Sequence, residues 1–317
     1  MKGSKTLIEK LKEFPQLSIC AGYIIMFILL TALSEDFLTT RNLLNVLRQT
    51  SSTMIVAVGM TFVLITGGID LSVGSVAALS ATLSVAFMVN YQLPVAISLL
   101  LGLLVGIACG FINGLIISKL NLPAFIVTLA MMSSARGAAL VYTNGKTIVG
   151  VPDSAIKFGQ GYLFSIIPIP VVVMAIILVI AGIFITKTVF SRYIYAVGGN
   201  EECAKLSGIN VNRVKLVVYS LSGLGAAIAG IIMTMRLASG QPTLGEGLEM
   251  DAIAACVLGG TSLSGGKGFL FGTIIGSVFL TTLSNGLNLM GVSSYMQQVL
   301  KGLIIIAAVC MYERKKN

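Results

Sequence analysis

The sequence predicts an all-α membrane protein of about ten transmembrane helices, and three observations carry that reading. Of 317 residues, 56% are hydrophobic and only 10% charged, where a soluble domain carries about 25% charged residues. The apolar residues gather into long uncharged runs, and the Lys and Arg residues gather between them. Mean hydropathy is strongly positive, which excludes intrinsic disorder. The chain has no His, which removes the commonest zinc ligand and the usual general base. Five scattered Cys without CxxC spacing argue against a disulfide framework, and no metal site is expected.

A spanning helix needs roughly 20 mostly apolar residues. The uncharged runs are Phe14–Ser34, Gln49–Ile69, Leu71–Ser118, Phe158–Thr186, Leu216–Met235, Ala252–Gly266 and Gly268–Leu300. Asn90-Tyr91-Gln92-Leu93-Pro94 is a turn signal that divides the third run in two. Phe125–Val141 and Met296–Met311 add two spans, each interrupted by one basic residue. Ten segments therefore start near Leu17, Thr53, Gly74, Val95, Phe125, Ile166, Leu216, Met250, Phe269 and Met296. Met250–Leu258 is about half the needed length, so a short or broken helix is expected there. Thr53–Thr66 is short unless its helix begins back at Leu43, and Thr40–Arg48 reads as a short amphipathic helix at the outer interface. The first run lacks a following small-residue cleavage site, so it is read as a retained helix and not a signal peptide.

Orientation follows from Lys and Arg in the short loops. Lys2, Lys5, Lys10 and Lys12 precede the first span, and Arg314, Lys315 and Lys316 follow the last. Both termini are thus expected in the cytoplasm of a multi-pass protein. Ten crossings put fourteen of the 21 basic residues on that side. The net charge of +9 follows from topology, with no nucleic-acid partner needed. Residues 1–317 read as a single transmembrane domain, with 142–165 and 238–249 as outer loops and 191–215 as a cytoplasmic segment.

Three stretches promise more than spanning. In 191–215, Gly198-Gly199 gives a flexible lead-in and Asn200 can cap a helix whose first turn holds Glu201 and Glu202. Ala204 and Leu206 complete about two turns before Ser207-Gly208 ends it. Such a doubly capped helix outside the membrane is either a charged linker or a docking helix gripped by a cytoplasmic partner. In TGGIDLSVGS, Gly67-Gly68 ends one helix, Ser72 can cap the next, and Asp70 and Gly74 sit near its start. This is a tight cytoplasmic turn with a solvated Asp70, or a hinge between discontinuous helices. The loop Gly259–Gly268 (with Gly259, Gly260, Gly265 and Gly266) matches Gly67–Gly74 at five of eight positions, through duplication or chance. It is not a phosphate loop, because Lys267 is followed by Gly268 where a P-loop needs Ser or Thr.

Single polar residues within the spans are few. Asp251 and Lys301 either pair on the inner side of the bundle or snorkel to the headgroups. Asn113, Asn285 and Asn288 either glue helices together or face a polar solute.

With these stretches in hand, the chain resembles the permease subunits of bacterial ATP-driven (ABC-type) monosaccharide importers. The resemblance rests on GGIDLSVGS (Gly67–Ser75), YIYAVGGNEECAKLSGINV (Tyr193–Val211), DAIAACVLGGTSLSGGKG (Asp251–Gly268) and NGLNLMGVSSY (Asn285–Tyr295). It is supported by YTNG (Tyr142–Gly145) and SGQPTLGEG (239–247), and runs from about Phe37 to the C-terminus. It is nearest to the ribose branch, with departures at Glu202-Cys203 and after Val151 that leave xylose, galactose, arabinose or a signalling sugar as alternatives. The resemblance implies a homodimer with a central solute path and a cytoplasmic ATPase with two nucleotide-binding halves gripping Gly198–Gly208. It also implies an extracytoplasmic sugar-binding protein at the outer loops. The chain would then bind no cofactor and catalyse nothing, ATP and Mg residing on the partner. An ion-coupled secondary transporter, the rival reading, would need a buried acid or His relay.

Overall fold

The computed structural model describes residues 15–314. The basic residues Lys2, Lys5, Lys10, Lys12, Lys315 and Lys316, on which much of the orientation rests, lie outside that range. Helix α1 (Pro15–Leu33) leads into α2 (Thr40–Ile65), a largely enclosed helix with 83% of its apolar stretch buried. The Thr39 side chain caps α2 by accepting the Asn42 N–H. Inside it, Thr50, Ser51 and Thr61 return their hydroxyls to the carbonyls of Val46, Leu47 and Ala57, which lets them sit in an apolar helix. The expected interface helix over Thr40–Arg48 is therefore not separate. It is the first turns of α2, because Asn42 finds a buried partner in Asn285 instead of facing water.

Helices α3 (Val73–Val89), α4 (Val95–Leu120) and α5 (Ala124–Thr143) follow, with the α3–α4 break at Leu93-Pro94 as the turn signal predicts. Segment 144–168 carries α6 (Asp153–Gln160) and a two-stranded hairpin, β1 (Tyr162–Leu163) with β2 (Ile167–Pro168). Then come α7 (Ile169–Lys187), α8 (Val189–Gly199), α9 (Glu201–Leu206), α10 (Val211–Leu237), α11 (Leu248–Leu258), α12 (Leu270–Leu289) and α13 (Ser294–Arg314). Among the described residues, six helices, α2, α4, α5, α7, α10 and α12, are long and apolar enough to cross a bilayer. α7 is apolar all round with only 17% of its stretch covered, so it lies at the periphery.

One seam organises the middle. Gly102, Gly106, Gly110 and Gly114 recur every fourth residue and form one face of α4. A Cβ at Gly106, Gly110 or Gly114 would strike α10, and one at Gly102 would strike Ser80 and Ser84 of α3. Without a hydrophobic force between helices in lipid, such backbone-to-backbone contact is what holds them. α11 packs on α12 in the same manner, Gly272 and Gly276 lying against the backbone of Gly259 and Ala255.

Within the 238–249 stretch, residues 238–247 pack along α3. A Cβ at Gly240 would contact Val85, Leu244 packs on Ala78 and Ala81, and Gly245 meets Gly74. From Val85 to Gly74 is about 16 Å of α3 at helical rise, so the segment dips deep into the bundle before α11 begins. Irregular backbone at such depth survives only inside protein or beside a cavity. Arg136, from α5, supplies the anchor, donating to the carbonyls of Pro242 (2.6 Å) and Leu244 (2.9 Å). At its upper end the segment is tied to the 144–168 region by an antiparallel bridge between Ile148 and Gly240.

Candidate functional site

The three glycine-rich stretches that stand apart in sequence meet at one place. α2 ends at Ile65, and Gly67 turns the chain with φ +80°. Gly266 donates its N–H to the Ile65 carbonyl at 2.9 Å. Gly198, on the last turn of α8, lies against both groups, so that a Cβ there would overlap the Ile65 oxygen. Gly265, at φ +83°, faces Gly198 O and the Gly67 backbone. The Tyr195 hydroxyl adds a bond to Gly268 O at 2.7 Å. Gly198 and Gly199 are thus not a flexible lead-in. They complete α8, and Gly198 is glycine because three backbones meet there. Gly260, at φ +87°, follows α11, and Gly259 packs against Gly272. The Gly67–Gly74 and Gly259–Gly266 stretches also touch each other, Gly67 against Gly265.

Beside this junction stands α9. Its Asn200 side chain accepts the Cys203 N–H at 2.9 Å, with Glu201 and Glu202 in the first turn and Lys205 in the last. Ser207 and Gly208 (φ +82°) end it. Ala204 is buried, while Leu206 is 89% exposed, a large apolar side chain held almost wholly clear of the protein. Lys215 of α10 pairs with both Glu201 oxygens at 2.8 Å, fastening α9 to the long helix behind it. Replacing Asn200 by Ala should loosen this short helix by about 1 kcal/mol, read as faster amide exchange over 201–206 with the spans unchanged.

Asp70 is not solvated; it is 1% exposed. One carboxylate oxygen accepts the Ser72 N–H (3.0 Å) and hydroxyl (2.6 Å), and the other accepts the Ser222 hydroxyl of α10 (2.7 Å). Asn113 of α4 in turn donates to Ser72 Oγ at 3.0 Å. Ser72 therefore does not cap α3 as its sequence position suggests, since Asp70 takes its hydroxyl. Gly68 leaves room for the Tyr219 hydroxyl, which a side chain there would strike. The turn is a hub joining α3, α4 and α10.

The remaining candidates separate. Asn285 exchanges two hydrogen bonds with Asn42, and Asn288 accepts from Gln297 at 2.7 Å. With Asn113 bound to Ser72, all three tie elements together. Lys301 lies 2.9 Å from Asp251, joining α13 to α11. Asp251→Lys or Lys301→Asp alone should lower the amount of inserted chain, and the double exchange should restore it on an immunoblot of membranes. Sequence reasoning missed the descent of 238–247 and the anchoring role of Arg136; the one available signal was an arginine in an otherwise apolar run.

Residues 42–309 match the model of the branched-chain amino acid transport system / permease component family. The chain belongs to this family. The permease is 50% identical over 298 residues to the ribose import permease protein RbsC of Bacillus subtilis, covering 93% of this chain and 92% of that one. It is 47% identical over 299 residues to RbsC of Escherichia coli K12, covering 92% of each. The xylose transport system permease protein XylH of Haemophilus influenzae is 35% identical over 347 residues, covering 90% of this chain and 92% of its own. No solved structure matches the permease at a significant level. Family and helices together make the chain a multi-pass membrane transport component.

Proposed function

We propose that the permease is the membrane-spanning subunit of an ATP-driven ribose importer in a bacterial inner membrane, with both termini in the cytoplasm. The reading is carried by the contrast between 47–50% identity to ribose permeases and 35% to a xylose permease over similar lengths. Two copies of the chain would work with a cytoplasmic ATPase of two nucleotide-binding halves and an extracytoplasmic sugar-binding protein. ATP and Mg belong to the ATPase. α9, with Leu206 exposed and Glu201 braced by Lys215, is the element the ATPase grips. Its movement reaches the bundle through the junction at Gly198, and the bundle alternates between two openings.

The buried Asp70 favours a second reading, ion-coupled transport, since such coupling needs an intramembrane acid. Three hydrogen bonds from Ser72 and Ser222 hold that carboxylate in a structural hub, which weighs against it. Vesicles containing the permease, ATPase and binding protein decide the matter. ATP-dependent accumulation of D-ribose that ignores an ionophore is the expected result; accumulation by the permease alone, collapsed by an ionophore, would establish the rival. Glu201→Lys should lower uptake in the full system while ATP hydrolysis continues.

A further inference from the structure

We infer that the permease holds an anionic phospholipid at the elbow between α7 and α8, with the phosphate on Lys187 and Arg192 and an acyl chain along α7. The site is independent of which sugar is carried. α7 runs 19 residues, from Ile169 to Lys187, about 28 Å at helical rise and close to the roughly 30 Å hydrocarbon core of a bilayer. Ile176, Ile180, Ile183 and Lys187 follow at steps of four, three and four residues, so they share one face. The three isoleucines are each more than half exposed, on a helix with only 17% of its apolar stretch buried. Acyl chains meet such a stripe, and Lys187 tops it where the headgroups begin.

α8 starts one residue later, and the elbow is fixed by side chains. The Thr188 hydroxyl donates to Phe184 O (2.6 Å) and accepts the Ser191 N–H (3.2 Å), while the Ser191 hydroxyl donates to Ile185 O (2.8 Å). α8 buries Ser191, Ile194 and Val197 and turns Val189, Arg192 and Tyr193 outward, three neighbours on one helix face. The Phe190 ring stands between those of Phe184 and Tyr193, with centroids 5.9 and 6.5 Å away. A phenol at the end of a spanning helix is an interfacial anchor. A helix with basic and apolar side chains on one open face lies in the plane of the interface and is drawn to anionic lipid.

Charge selects the lipid. The ion pairs among the described residues, Glu201–Lys215 and Asp251–Lys301, use neither Lys187 nor Arg192, and both of these side chains are exposed. At headgroup depth the anion within reach is a phosphate, whose oxygens match the arginine fork and the lysine ammonium. Zwitterionic lipid offers the same phosphate with its charge cancelled, so an anionic headgroup is preferred. α8 ends on Gly198-Gly199. The lipid therefore holds from outside the helix whose last turn meets Ile65 and Gly266.

The chain has no Trp, so Tyr193→Trp places a single fluorescent reporter at the elbow. The purified variant goes into vesicles of phosphatidylcholine and phosphatidylglycerol, with one lipid or the other brominated on its acyl chains to quench the reporter. Quenching should show a preference for phosphatidylglycerol of about fivefold or more. Adding Lys187→Gln with Arg192→Gln should remove the preference, and adding Lys187→Arg with Arg192→Lys should keep it, which separates charge from folding. Equal quenching by the two lipids would overturn the site, as would a preference that survives the glutamine pair. Quenching by neither lipid would show the face covered by a second copy, and quenching lost on adding the ATPase would give the face to that partner; either overturns the site. Sugar uptake is not measured, so each of these outcomes leaves the importer reading untouched.

Discussion

Gly198→Ala should abolish sugar uptake, while Gly199→Ala, one residue on, should leave uptake within about twofold of the unaltered protein. A Cβ at 198 would overlap the Ile65 carbonyl oxygen and crowd the Gly266 N–H, both backbone atoms that cannot rotate away. Overpacking of this kind costs about 1–3 kcal/mol, and here the cost falls on the contact between α8, the end of α2 and the Gly265-Gly266 turn. The Gly266–Ile65 hydrogen bond, 2.9 Å, is the first to be forced apart. A Cβ at 199 meets nothing within 4 Å. The pair is thus a matched experiment in one helix turn, with the same substitution and the same loss of glycine. Uptake of labelled ribose in cells, with immunoblotting to show equal insertion, reads it. Equal activity of the two variants would remove the junction from the coupling path.

Asp70→Ala should lower the thermal stability of the purified permease more than Asp70→Asn does. Alanine leaves the Ser72 N–H and the Ser72 and Ser222 hydroxyls without their acceptor in a site that is 1% exposed. Each buried donor so stranded costs about 1–3 kcal/mol. Asparagine keeps one acceptor oxygen and strands fewer. Because Asn113 reaches the hub through Ser72 Oγ, Asn113→Ala should cost less than Asp70→Ala, and the two losses should not add. Unfolding followed by intrinsic tyrosine fluorescence in nanodiscs gives the order. An Asp70→Ala midpoint equal to that of the unaltered protein would mean that the hub carries no structural energy.

How far the sequence could be read depended on whether a feature was local. The breaks at Asn90–Pro94 and after Ile65, the half-length helix at 248–258 and the Asn200 cap are each written in a few consecutive residues, and each is present in the structure. Features that depend on a distant partner were hidden. Asn42 turns inward because Asn285 waits 243 positions along the chain. Ser72 gives up its capping role because Asp70 is closed in by Ser222, 152 positions from it. The descent of 238–247 is legible only with α3 and Arg136 in place, since its polar and glycine content is also that of an exposed loop. Gly198-Gly199 is ambiguous for a similar reason: glycine marks both a loose segment and a crowded one, and local sequence does not distinguish them.

The glycine face of α4 has a consequence for the whole length of α10. With two backbones in contact and no pliant side chains between them, α10 has a rigid rail to bear on. Lys215, salt-bridged to Glu201, stands near one end of that helix and Arg236 near the other, about 32 Å away at helical rise. Should the proposed grip on α9 displace the foot of a helix so guided, the displacement would arrive at its head without being absorbed on the way.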